Sequence, residues 1–133
     1  MPIYAMSTSK IPLSTCRELD SLMRKYWWIG NVDKSRFLAL KAWDQICQPK
    51  ASGGLRLRKC EDMNKALLSK LAWSLAIQEE RPWVKCLLAK YCKHESFWCV
   101  KPKSRDSFQW RCILDSRQRS LKDPSQLQLR VIL

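Results

Sequence analysis

At 133 residues and 46% hydrophobic, the chain has the length of one domain closing a single core, and 25 Lys and Arg against 12 Asp and Glu leave it a net charge of +13. That excess favours polyanions as partners, nucleic acid ahead of an anionic membrane, and its spread along the whole chain argues against a disordered basic arm. No stretch approaches the roughly 18 to 20 uninterrupted apolar residues of a membrane span, and the start, MPIYAMSTSKIP, lacks the basic region and long apolar core of a secretory signal, so the expected setting is intracellular, nuclear or mitochondrial, with no membrane role.

Thr15 and Glu18 have the spacing of a capping box and Gly30 stands where a helix often ends, which predicts a helix over 16–29. At about 100° per residue, Cys16, Leu19, Leu22, Met23, Tyr26, Trp27 and Ile29 share one side of it and Arg17, Glu18, Asp20, Ser21, Arg24 and Lys25 the other. Trp28 alone falls among the cations, where a large aromatic either packs on a neighbouring segment or stacks on a base. Asn31 to Arg36 reads as a polar loop, and Phe37 to Trp43 as a short strand or the approach to a helix. Ala42 to Cys47 suits a brief helix stopped by Pro49, after which Ser52, Gly53 and Gly54 allow a tight reversal with positive φ.

Glu61 and Asp62 open the next helix, to Gln78, where the helix dipole favours negative charge. The following residues, MNKALLSKLAWSLAI, are apolar almost all round, as expected at the centre of a bundle or against something larger than this chain. Pro82 suits the first turn of a helix to about Tyr91 with Trp83, Val84, Leu87, Leu88 and Tyr91 on its buried stripe. A charged loop around Phe97 and Trp98 follows, and Ser107 can cap a last helix, 108–117, that buries Trp110, Ile113 and Leu114. The fold class expected is mainly α: a small helical bundle with a short turn or strand element around residues 37–58.

Charge concentrates in two places. From Lys34 to Lys59 there are seven cations (Lys34, Arg36, Lys41, Lys50, Arg56, Arg58, Lys59) against Asp44 alone, and from Lys101 to Arg119 there are six (Lys101, Lys103, Arg105, Arg111, Arg117, Arg119) against Asp106 and Asp115. Lys50, Arg56, Arg58, Lys59, Arg105 and Arg111 are the candidate contacts to RNA or DNA, made through phosphates. Catalytic chemistry has little support. His94 is the single histidine, and Cys86, Cys92, His94 and Cys99 lack any C-x-x-C pair, so the residues imply no cofactor and no metal. Seven scattered cysteines, at 16, 47, 60, 86, 92, 99 and 112, read as reduced thiols that behave as small core hydrophobes.

The run Trp43, Cys47, Pro49, Lys50, Gly53, Gly54, Leu55 and Arg58, followed by Asn64, Ala66, Leu67, Leu68, Lys70 and Trp73, resembles the segment after the polymerase palm in plant LINE-type, non-LTR retrotransposon reverse transcriptases. PIYAMS, KIP and YWWIG upstream, and Trp83 to Tyr91 and SFQWRCIL downstream, extend the likeness over residues 2–117. The chain is also similar to a short uncharacterised open reading frame of plant mitochondrial genomes that begins at the same methionine. The resemblance implies a thumb or connection region whose helices brace a template and primer. It implies no enzyme, because the family's Tyr-x-Asp-Asp palm motif would precede Met1 and is matched by no residue here, and its zinc-binding-like region would follow the last residue. Arg56 stands where the family usually has another glycine, and from Ser120 the likeness dissolves, which sets residues 120–133 apart from 1–119 as a divergent tail. The expectation is a non-catalytic reverse-transcriptase fragment with weak, non-specific nucleic-acid binding. Its alternative is a helical protein-interaction module with no nucleic-acid role, whose contact is the Met63 to Ile77 helix; in the fragment reading the missing neighbours would leave apolar surface exposed.

Overall fold

The computed structural model describes residues 3–33 and 35–122, with side chains through Arg117 in the final helix. Lys34, the Arg119 side chain and residues 123–133 of the predicted tail lie outside the described residues. Among those described there are six α-helices, α1 (Ile3–Thr8), α2 (Leu13–Ile29), α3 (Trp43–Ile46), α4 (Cys60–Ala76), α5 (Pro82–Tyr91) and α6 (Phe108–Lys122), with one 3-10 turn, Lys50–Ser52, and no strand. The protein is therefore mainly α as its sequence predicts. The turn expected within 37–58 is present, whereas residues 37–42 are irregular and no strand forms there. The chain divides into two compact units, Ile11–Met63 and a second made of the residues up to Lys10 with those from Asn64 onward.

In the unit Ile11–Met63, α2 begins three residues before the predicted start. Pro12 is its N-cap residue at φ −56°, already helical in φ and without an N–H to satisfy, so the chain enters the helix at Leu13 and no side chain caps it. Thr15 and Glu18 consequently sit inside the helix. The other end follows expectation: Gly30 adopts the left-handed conformation at φ 72° and its N–H donates to the Tyr26 carbonyl at 2.7 Å.

The reversal after α3 depends on glycine for two different reasons. Gly53 has φ 81°, which L side chains rarely adopt. At Gly54 the constraint is space, since a Cβ there would lie 2.0 Å from the Gln48 carbonyl oxygen. This approach lets the returning strand of chain bond back, Leu55 N–H to Ile46 O at 2.9 Å and Arg56 N–H to Gln48 O at 3.0 Å. The interior the turn closes on is small: Cys16, Trp43, Ile46 and Cys60 are its buried apolar side chains. As a result the apolar side of α2 is not covered. Only Cys16 of that helix is buried, while Leu22, Tyr26 and Trp27 are 46%, 63% and 49% exposed and border an apolar cleft of about 310 Å³ with Val32, Trp43 and Leu57.

The second unit has a larger core. Ala72 and Leu75 of α4, Val84 of α5, Phe97 and Val100 of the following loop, and Trp110, Ile113 and Leu114 of α6 form one buried cluster, against which Leu71, Ala76, Trp83, Leu87, Leu88 and Tyr91 pack. Each fully buried aliphatic side chain is worth roughly 1.5 to 3 kcal/mol. Packing by α5, α6 and the loop explains why α4 is apolar on nearly every side. Polar contacts tie the short α1 to the same unit: the Asn64 amide, itself buried, donates to the carbonyls of Met6 at 2.6 Å and Ser9 at 2.9 Å, and Met6 is fully enclosed. Without those acceptors the amide would carry the full cost of desolvation. Ser116 donates similarly to the Leu68 carbonyl at 3.3 Å and the Ile113 carbonyl at 2.8 Å.

Cys60, fully buried at the start of α4, has its thiol pushed up to about 12 from 9.0, chiefly by burial and then by its hydrogen bond with Cys16. The folded state thus holds a proton that the unfolded chain releases near pH 9, so this contribution is complete below pH 9 and is lost as pH rises toward 12. Urea midpoints of the reduced protein between pH 8 and 11 should fall more steeply for wild type than for Cys60→Ala. Parallel declines would remove Cys60 as the cause.

Candidate nucleic-acid interface

In the second unit, the end of α5 and the start of α6 are held together by aromatic rings. Tyr91 stacks on Trp110 with centroids 4.4 Å apart and planes 9° from parallel, and Phe97 meets Trp110 edge-on at 6.1 Å. The Tyr91 hydroxyl lies 3.3 Å from Ser107 Oγ, and this hydrogen bond holds the phenol below its ordinary range. Ser107 also caps α6 as its sequence predicts, its Oγ accepting from the Trp110 N–H at 3.3 Å. Just before it, Asp106 accepts from the Lys103 N–H at 2.7 Å and returns its own N–H to the Lys103 carbonyl at 3.1 Å, a side-chain turn that fixes the end of the loop.

Around this frame lies a cleft of about 1040 Å³, bordered by Lys90, Lys93, Lys101, Lys103 and Arg105 against Glu95 and Asp106, with His94 beside them and Tyr91 and Trp110 in its wall. All five cations are exposed. Positive charge gathered on a concave surface raises the local potential and suits phosphates, whereas two carboxylates leave little for a cationic ligand.

The predicted contacts divide between the units. Arg105 lines the cleft; Arg111, on the first turn of α6, is exposed and is not among its lining residues. Lys50, Arg56, Arg58 and Lys59 belong to the unit Ile11–Met63. The first three are exposed, but Lys59 is paired with Asp44 at 2.6 Å, and that hydrogen bond raises its pKa. Its charge is largely answered within the protein. Arg117, counted with the basic stretch from Lys101, is buried: its guanidinium donates to the Phe97 carbonyl and lies 5.7 Å over the Phe97 ring. It belongs to the core and not to a phosphate surface. Lys90 and Lys93 are not among the contacts that the sequence predicts, because they precede the basic stretch and join it only through the fold. The visible signal was their position at the end of a helix whose last apolar residue, Tyr91, is aromatic.

Of Cys86, Cys92, His94 and Cys99, Cys86 and Cys99 are exposed thiols, and among the described residues no three His, Cys, Asp or Glu side chains converge. Glu61 and Asp62 occupy the first turn of α4, and Glu79 pairs with Arg81 at 3.1 Å.

These features define a basic, mainly helical protein with a cation-lined cleft. No family model matches the chain and no solved structure matches it. It is 37% identical over 116 residues to the Putative ribonuclease H protein At1g65750 of Arabidopsis thaliana, an alignment that covers 85% of this chain and spans 18% of that protein's length. It is 30% identical over 119 residues to the Uncharacterized mitochondrial protein AtMg00310 of the same plant, covering 89% of this chain and 77% of the relative. The chain belongs to the family of that mitochondrial protein. No described helix is long and apolar enough to cross a membrane.

Arg56 has φ 59°, a left-handed conformation that costs an L residue about 1 to 2 kcal/mol. The backbone at Arg56 is therefore one that glycine adopts without that cost. Arg56→Gly should match or exceed wild type in thermal stability, and Arg56→Val should fall below it, by circular dichroism. A glycine variant less stable than wild type would show that the conformation carries no strain.

Proposed function

We propose that the chain is a non-catalytic, retrotransposon-derived module that holds nucleic acid by its phosphates, related to the region after the polymerase palm of LINE-type reverse transcriptases. The cleft carries this reading: five exposed cations and two carboxylates around one concavity. Two plant relatives support the derivation, one named for ribonuclease H and one mitochondrial. In this reading polymerase and ribonuclease activities are not the module's own, since two-metal phosphoryl chemistry needs converging carboxylates, whereas Glu61 and Asp62 stand in the first turn of α4 and Glu79 pairs with Arg81. Mitochondria are the proposed location, by likeness to the second relative.

A helical protein-interaction module is the second reading. What favours it is the uncovered apolar side of α2, since α4, the surface first expected to serve, places Leu68, Ala72 and Leu75 in buried positions and leaves Ile77 exposed.

Two measurements test the first reading. Binding to single-stranded RNA should weaken steeply with salt, and Lys101→Ala, Lys103→Ala and Arg105→Ala together should flatten the logarithmic salt slope by about 2, given a slope of roughly 0.7 per phosphate contact. An unchanged slope would return these residues to a solvated surface. Primed RNA with deoxynucleotides and magnesium or manganese should show no extension, and template-dependent synthesis would overturn the non-catalytic assignment.

A further inference from the structure

The unit Ile11–Met63 holds a second cavity, of about 480 Å³, within the roughly 300 to 1,000 Å³ range of small-ligand sites. Trp27 and Trp28 of α2 line it together with Lys41, Gln45, Gln48 and Ser52. The reversal at Gly53 and Gly54 brings the last two of these residues to the same cavity as the two indoles. Trp27 is half exposed. The Trp28 indole N–H is buried with no hydrogen-bond partner, a donor whose burial costs free energy until an acceptor reaches it.

We propose that this cavity is a nucleotide site, taking an unpaired base against the tryptophans with its phosphate toward Lys41. Each part of the lining answers a different part of that ligand. The tryptophan surface offers a π-face to a planar ring, which stacks with little regard to sequence. Gln45 and Gln48 supply amides, each with a donor and an acceptor, the pairing that reads base edges. The Trp28 N–H, enclosed and unpartnered, becomes a further donor to the base where the indole turns to present it. Among the described residues no carboxylate lines the cavity, so Lys41 biases it toward an anion. The site stands on residues distinct from the cleft of the other unit, and a nucleotide free in solution or within a strand would satisfy the same chemistry.

The test uses the full chain and two octamers of equal charge, oligothymidylate and an abasic phosphodiester of the same length. Wild type should bind the base-bearing octamer at least about fivefold more tightly, as expected for stacking of one or more bases. Trp27→Ala should abolish the preference, and Trp28→Phe, which keeps an aromatic ring and removes the N–H, should reduce it. Gln45→Ala with Gln48→Ala, at exposed positions, should also reduce it and serves should either tryptophan variant lose helical circular dichroism. Equal wild-type affinity for the two octamers, or a preference that survives these substitutions, would overturn the proposal. Competition by thymidine monophosphate separates the sources: displacement of the octamer at matching concentrations assigns free nucleotides, and displacement only at great excess assigns a strand, either upholding the base site. Loss of abasic binding on substituting Lys101, Lys103 and Arg105 reports on the cleft alone.

Discussion

The burial of Trp110 is the constraint from which the rest of the second unit follows. Its indole is 1% exposed, stacks on Tyr91 at the end of α5 and takes the edge of Phe97 from the loop between α5 and α6. Three consecutive segments, the end of α5, the loop and the start of α6, are thereby fixed against one ring. Aromatic pairs of this kind add about 0.5 to 1.5 kcal/mol each beyond the area they bury, which is large against the few kcal/mol of net stability in a small protein. Lys90, next to Tyr91, and Arg105, just before the Ser107 cap, inherit their positions from that core. A cation-lined cleft is then a consequence of apolar packing beneath it.

The unit Ile11–Met63 is organised differently, because its interior is too small to satisfy its longest helix. Surface scales more slowly than volume, so a segment of this size cannot enclose every apolar side chain it carries. Its closure rests on backbone approach instead of side-chain mass: the carbonyl of Gln48 occupies the space where Gly54 would carry a Cβ. Exposure of Leu22, Tyr26 and Trp27 is the corollary. The same shortage leaves the indoles of Trp27 and Trp28 bordering a cavity, so one physical cause, a small core under a long amphipathic helix, yields both an apolar cleft and an aromatic-walled cavity.

Where local chemistry decides, the sequence was readable. Pro82, Ser107 and Gly30 mark helix ends through φ and hydrogen bonding that act within a few residues, and α5 spans the predicted residues. The start of α2 was not readable in this way, because a capping box at Thr15 competed with an entry already favoured by Pro12. Burial depends on partners, and α2 shows it: a regular apolar stripe predicts a buried face only if other segments are large enough to cover it. The α4 helix, with a weaker pattern, is the one placed in a core.

Charge shows the same distinction between counting and placing. Along the chain, Lys59, Arg117 and Arg105 are equivalent members of basic stretches. In the fold, Lys59 answers Asp44, Arg117 gives its guanidinium to the carbonyl and ring of Phe97, and Arg105 faces a cleft with four lysines. An ion pair such as Lys59 with Asp44 has little attraction left for a third party, and a buried guanidinium held by a neutral carbonyl keeps its charge but cannot itself touch a phosphate. What reaches a phosphate is the charge left after such pairings. That remainder depends on the aromatic core beneath the cleft, which links the stability of the second unit to the phosphate binding proposed for it, a reading of backbone charge that is indifferent to base sequence.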